Sequence, residues 1–188
     1  MRKLIATVFN YSLNGLLADE GTDFWRFCFG LLDEHGGADH DEQTLEFLRG
    51  ASAHLMGRTA YEGMSAALPG SDHPWSEVLT AGRKVVLSRT LTSADWANTT
   101  VASGDTRKEV DALRQDGDGH IIVWGGVTLW RSLMRLDLID EFHVSMYPYI
   151  TDTGTLLFDD VPPSYALELI SSRPDDQGAL QLNFRRRR

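Results

Sequence analysis

Short, nearly continuous apolar runs alternate along this chain with stretches whose apolar residues recur at helical spacing. The runs Leu4-Ile5-Ala6-Thr7-Val8-Phe9, His54-Leu55-Met56, Lys84-Val85-Val86-Leu87-Ser88 and Ile121-Ile122-Val123-Trp124 predict buried strands, with Thr99-Thr100-Val101 a shorter one. Helical patterns lie between them. Leu45 and Leu48 share one face behind a cap at Asp41, and Thr59 to Ala67 is stopped by Pro69-Gly70. Val110 and Leu113 follow a cap at Asp105 and end near Gly117, and Val127 to Met134 follows Gly126. Residues 22–34 read as helical or compactly aromatic, with Thr22 as N-cap. Residues 12–19 and 36–40 read as loops, and Asp175-Asp176 beside Pro174 as a turn. Ile139 to Tyr147 predicts a long strand stopped by Pro148, and residues 165–171 and 179–185 a closing antiparallel pair. Strands alternating with helices, then strands alone, predict an α/β fold. Its sheet is mixed, mostly parallel and flanked by helices, with antiparallel C-terminal strands, in a single domain spanning residues 1–188.

Composition changes this picture mainly by exclusion. A length of 188 residues with 42% hydrophobic content is enough for a sizeable core. No apolar run approaches membrane-spanning length, and the run after Met1-Arg2-Lys3 is too short for a signal peptide. The single cysteine, Cys28, lies among Phe24, Trp25, Phe27 and Phe29. It reads as core filling rather than a nucleophile, and a cytoplasmic home is the expectation. The six histidines are scattered, so no metal site is expected. A net charge of −9 argues against a nucleic-acid partner, and the basic tail Arg185 to Arg188 reads as a solvated end.

The candidate chemistry lies at strand ends. Gly57-Arg58-Thr59, Ser88-Arg89-Thr90 and Gly125-Gly126 each follow a strand, where ligands of open α/β sheets sit. A glycine pair opening a helix is by itself an ordinary tight turn, and a lone arginine is a surface ion-pair partner. Together, two arginines, neighbouring hydroxyls and a glycine-lined helix start suit a ligand with several phosphates, such as a dinucleotide with an extra 2′-phosphate.

These residues belong to longer motifs that occur in order. They are Ser12-Leu13-Asn14-Gly15-Leu16-Leu17-Ala18, Leu55-Met56-Gly57-Arg58-Thr59-Ala60-Tyr61-Glu62, Val86-Leu87-Ser88-Arg89-Thr90, Val123-Trp124-Gly125-Gly126, Leu138-Ile139-Asp140-Glu141-Phe142 and Gly154-Thr155-Leu156-Leu157-Phe158. With them the chain resembles the dihydrofolate-reductase-like superfamily, and within it the stand-alone relatives of the riboflavin-biosynthesis reductase domain. The resemblance implies NADPH as hydride donor and a homodimer. It places Gly57, Arg58, Thr59, Ser88, Arg89 and Thr90 toward the 2′-phosphate end of the cofactor. Gly125, Gly126, Val127, Thr128 and Leu129 fall at its pyrophosphate, with a cis bond at the Gly-Gly step. Ala6, Thr7, Leu17 and Ala18 border the nicotinamide. Asn14, Asp19, Phe24, Trp25, Trp130 and Tyr149 would surround a flat heterocycle, with core packing the competing reading of the aromatics.

Two positions depart from the family pattern. Ala60 stands where the family has threonine, and Asn14 replaces the loop aspartate, removing a charge near the substrate mouth. Asp19, Asp23 and Asp33 are nearby carboxylates for proton supply, each also readable as simply solvated. Arg26 and Arg131 are candidate contacts for a substrate phosphate. The expected activity is NADPH-dependent hydride transfer to a small heterocyclic or carbonyl compound, of the 5-amino-6-(5-phosphoribosylamino)uracil reductase type. The alternatives are a dihydrofolate reductase and a non-catalytic NADP-binding sensor or scaffold.

Overall fold

A computed structural model describes residues 1–28, 42–159, 164–175 and 178–187. The caps and loops expected at 36–41, the end of the 22–34 segment, Asp33, Asp176 and Arg188 lie outside the described residues. The chain divides into two compact units, Met1–Ala6 with Asp39–Asp140, and Thr7–Ala38 with Glu141–Arg188.

The first unit carries the parallel strands. They are β1 (Leu4–Ser12), whose first residues belong here, β3 (Ala51–Gly57), β4 (Lys84–Leu87), β5 (Thr99–Ala102) and β6 (His120–Trp124), in the order β5-β4-β3-β6-β1. The β3–β4, β3–β6 and β4–β5 pairings are parallel. Covering helices explain the unbroken apolar runs: Leu55, Met56, Val86, Ile121, Ile122 and Val123 are fully buried, so both faces of these strands must be apolar. The helices are α2 (Glu42–Arg49), α3 (Arg58–Ala67), α4 (Trp75–Ala81), α5 (Thr106–Leu113) and α6 (Val127–Arg135). Helix α6 buries Leu129, Trp130, Leu133 and Met134 on one stripe. It ends in a left-handed turn at Asp137 (φ 55°). There Asp137 N–H donates to Met134 O and Leu138 N–H to Leu133 O, both at 3.0 Å, satisfying the last carbonyls.

Helix α4 is not marked by the hydrophobic pattern. Pro74 sits at its N-cap, and its C-terminal end is held by a side chain from the next strand. Lys84 Nζ donates to Leu79 O (2.6 Å), Thr80 O (3.2 Å) and Gly82 O (2.7 Å), and lies 4.6 Å from the Trp96 ring centroid. A cation at a helix C-terminus satisfies orphan carbonyls and meets the negative end of the dipole. The N-terminus of β1 is tied by a buried ion pair. Arg114 Nη2 meets Asp140 Oδ2 at 2.6 Å, and the same oxygen accepts from Leu4 N–H at 2.9 Å.

The second unit contains the rest of β1, β2 (Leu16–Leu17), β7 (Glu141–Tyr147), β8 (Thr155–Leu156), β9 (Leu167–Pro174), β10 (Leu180–Arg186) and α1 (Asp23–Cys28). It carries the antiparallel pairings β1–β2, β2–β8, β7–β10 and β9–β10. Its strands run β1-β7-β10-β9, with β2 pairing both β1 and β8. The closing pair forms as expected, with a bulge between Asn183 and Phe184. Thr22 caps α1 as expected, its Oγ1 accepting from Trp25 N–H at 3.2 Å. The predicted α/β architecture, parallel strands and helices followed by antiparallel C-terminal strands, is the one the chain adopts.

Candidate functional site

Parallel pairing places three strand ends side by side. In register Gly57 lies opposite Leu87, and Met56 opposite Trp124, so the exits of β4, β3 and β6 are neighbours at one edge of the first unit. The residues singled out at these exits come together. Arg58 Nη1 donates to Thr90 Oγ1 at 3.2 Å, and Ser88 Oγ lies 3.5 Å from the same oxygen. Ser88 Oγ also accepts from Leu91 N–H at 3.0 Å, which folds the segment after β4 into a tight turn. Thr59, Arg89 and Thr128 are exposed, and Leu129 is buried.

Two helices begin at this edge, and both begin on glycine. Helix α3 has Gly57 as N-cap and α6 has Gly126. Neither has a side-chain cap or an acidic residue in its first turn. Backbone N–H groups at both starts are therefore free of a side-chain acceptor, and the positive dipole end is uncompensated. Gly126 has φ 95°, a conformation that a side chain disfavours, and a Cβ there would meet nothing within 4 Å. The turn is thus glycine-specific for its backbone, and the space beside it is open. No cis peptide bond occurs among the described residues. The Gly125–Gly126 bond is trans, contrary to the expectation from the resemblance.

Sequence reasoning gave Glu62 no role. Its Oε1 accepts from Arg58 Nε at 2.7 Å, one helical turn away. Both side chains are about half exposed, 50% and 49%, so the pair adds little stability. Its effect is orientation: with Nε on Glu62 and Nη1 on Thr90, the guanidinium has one fixed plane. The i,i+4 spacing was the available signal. His54 was also missed. It is 1% exposed on β3, and its Nδ1 accepts from Trp124 Nε1 at 3.0 Å. Burial, with the charges of Lys84 and His120, pushes its pKa down to about 4, so it is neutral at pH 7.

The second unit holds Thr7, Leu17, Ala18, Asn14, Asp19, Phe24, Trp25 and Tyr149, while Ala6 and Trp130 belong to the first. Thr7, Leu17 and Ala18 are buried, and Asn10 Nδ2 donates to Ala18 O at 3.0 Å. Phe24 stacks on Tyr149 with ring centroids 4.9 Å apart and 19° between planes; Trp25 packs against the same cluster. Beside this stack lies a concavity of ≈ 580 Å³ lined by Thr22, Asp23, Phe24, Tyr149, Thr151 and Thr153, among others. Asn14 does more than remove a charge. Its Nδ2 donates to Thr151 O at 2.8 Å and its Oδ1 accepts from Thr151 N–H at 3.3 Å, fastening the concavity's rim. An aspartate could not make the first of these bonds. Asp19 Oδ1 accepts from Thr155 Oγ1 at 2.9 Å, and Arg26 pairs with Asp23 at 3.3 Å.

The sequence pattern of the RibD C-terminal domain family matches residues 2–181. The uncharacterized protein YyaP of Bacillus subtilis (strain 168) is 27% identical over 152 residues, 78% of this chain and 80% of its own length. A Shewanella sp. PV-4 protein whose crystal structure carries a riboflavin-biosynthesis name superposes with a TM-score of 0.77, 22% identity and 99% of both chains covered. A pyrimidine reductase-like protein from Corynebacterium diphtheriae superposes with a TM-score of 0.65 and 16% identity, covering 100% of this chain and 92% of its own. At these identities the structural likeness is one of fold.

Proposed function

Because the chain belongs to the RibD C-terminal domain family, we propose that it is an NADPH-dependent reductase that passes a hydride to a small heterocyclic or carbonyl compound. The observation that carries this reading is the edge of the first unit, where Arg58, Ser88 and Thr90 gather beside two glycine-started, uncapped helices. The donor set fits the group. Uncapped N–H groups and an open glycine turn suit a pyrophosphate, and a fixed guanidinium with neighbouring hydroxyls suits a terminal phosphate monoester. Arg58, Ser88, Arg89 and Thr90 would hold the 2′-phosphate, which distinguishes NADPH from NADH. Gly125, Gly126, Val127, Thr128 and Leu129 would cradle the pyrophosphate, and Ala6, Thr7, Leu17 and Ala18 would border the nicotinamide. Bound there, the cofactor supplies a hydride; the chain's share is to orient the reactants and exclude water.

The substrate reading draws on the stacked Phe24–Tyr149 pair and the hydroxyl-lined concavity beside it. Aromatic faces suit a flat ring, and threonine hydroxyls suit its carbonyl and amino edges. A pyrimidine is the ring favoured, in keeping with the pyrimidine reductase-like relative in fold. Among the described residues no helix is long and apolar enough to cross a membrane. The protein as a homodimer belongs to the same proposal. The test is NADPH oxidation in the presence of a panel of aminopyrimidines, pterins and dihydrofolate. Turnover of a pyrimidine supports the reading, and turnover of dihydrofolate alone replaces it with a folate reductase. Tight NADPH binding without turnover on any acceptor favours a sensor.

A further inference from the structure

The concavity of the second unit handles charge in the opposite way to the strand exits of the first. Its lining includes Thr22 and Asp23 at the start of α1, and Tyr149, Thr151, Asp152 and Thr153 after β7. The helix start is closed to anions. Thr22 Oγ1 accepts from Trp25 N–H at 3.2 Å, and Asp23 sets a carboxylate in the first turn. Asp152 adds a second, exposed carboxylate. The nearby cation, Arg26, is held by Asp23 at 3.3 Å. The donors around the concavity are also committed. Thr22 Oγ1 donates to Asp19 O at 2.6 Å and Thr151 Oγ1 to Thr153 O at 2.7 Å, so these hydroxyls have no proton left to offer. Backbone N–H groups of Tyr149, Thr151 and Thr153 go to Tyr147 O, Asn14 Oδ1 and Thr151 Oγ1. What the lining presents is acceptors and negative charge.

We infer that this concavity takes a flat ring that presents amino N–H groups and carries no phosphate, with Asp23 and Asp152 as the residues that turn an anion away. The inference rests on the substrate reading above and narrows it. A substrate of the 5-amino-6-(5-phosphoribosylamino)uracil type, which bears a phosphate, gives way to an unphosphorylated aminopyrimidine. Ring amino groups donate, and carboxylate and hydroxyl oxygens accept, so the two sets match. A phosphate needs donors and brings further negative charge. It would meet two carboxylates of like sign within a Debye length, with committed donors beside them. Stacking on the Phe24–Tyr149 pair is unaffected by this choice, because either compound offers a ring.

The test titrates cytidine and cytidine 5′-monophosphate into the isotope-labelled full chain. The two share a ring and an amino group and differ only in the phosphate. Amide signals of Thr151 and Thr153 report the concavity, and those of Thr90 and Leu91 report the strand exits, so a phosphate caught by Arg58 is read separately. At low salt cytidine should bind at the concavity about tenfold or more tightly than the monophosphate, and the gap should narrow as salt is added. Asp152→Lys, an exchange at an exposed position, should close or reverse the gap. Asp23→Asn, which releases Arg26, should narrow it severalfold. Three results overturn the inference: equal or tighter binding of the monophosphate to the natural chain, a gap that Asp152→Lys leaves unchanged, or rim signals that neither probe moves. NADPH binding by the same samples separates this inference from the reductase reading. A tight monophosphate with NADPH bound sinks the inference alone. The predicted gap without NADPH binding sinks the reductase reading and leaves the charge selectivity of the concavity standing.

Discussion

Helices α3 and α6 start on glycine, whereas α5, which follows the parallel strand β5 of the same unit, starts on aspartate. The Asp105 carboxylate accepts from Lys108 N–H at 3.1 Å, and Glu109 adds a second negative charge to the first turn. Helix α5 thus satisfies its own N-terminus and offers an anion nothing. Helices α3 and α6 have no side-chain cap and no first-turn acid, and Arg58 stands at the first of them. An aspartate cap stabilises a helix over a glycine start by about 0.3 kcal/mol. Forgoing it twice at adjacent strand exits is intelligible where an external anion takes the place of the cap.

The most severe break in this contrast turns α3 into a helix of the α5 kind. Gly57 has extended backbone angles that any residue adopts, and a Cβ there meets only Leu129 at an ordinary 3.7 Å. Gly57→Asp should therefore fold, and should gain about 0.3 kcal/mol in urea unfolding, since glycine is itself a tolerated N-cap. Its carboxylate would face the incoming phosphate, and NADPH affinity should fall on the order of a hundredfold or more. A variant that keeps its affinity would show that the uncapped start of α3 is not used.

Acid sharpens the comparison by loading charge onto the strand that feeds α3. His54 is held neutral, its pKa lowered from 6.5 to about 4. Between these values the unfolded chain binds the proton more readily than the folded one. Stability should therefore be whole above pH 6.5 and decline as pH falls toward 4, by about 3 kcal/mol in all. Urea midpoints measured across this range check it, and His54→Gln should flatten the decline.

Gly126→Val tests the other glycine start. No atom would clash with the new Cβ, so the cost is backbone strain alone, about 1–3 kcal/mol. Gly126→Asn, which tolerates positive φ, should recover most of it in thermal unfolding. The smallest effect belongs to the capped helix. Asp105→Ala should lower stability by about 1 kcal/mol and leave NADPH affinity unchanged.

The parallel strands were legible because burial on both faces writes itself as unbroken apolar runs, as in Ile121 to Trp124. Asp105 and Thr22 were legible as caps because the local sequence alone decides them. Helix α4 was not, since what ends it is Lys84, a charge placed at 0% exposure by contacts with Leu79, Thr80 and Gly82 carbonyls. Burial lowers its pKa to about 8; the apolar run it opens announces a buried strand, but not that the Lys84 ammonium closes a helix end. At the candidate site the residue types at the strand exits could be read in advance. Their arrangement could not: Glu62 fixing Arg58 and Asn14 fastening Thr151 are pairings made only in the folded units.

The central claim is that Arg58, set by Glu62 and Thr90, reads the phosphate that separates NADPH from NADH. Titrating both nucleotides into the natural chain and into Arg58→Ala tests it most directly. The account predicts that NADPH binds more tightly than NADH, and that the substitution weakens NADPH about ten- to a hundredfold while leaving NADH nearly unchanged. Equal loss for both nucleotides, or no preference in the natural chain, would contradict it.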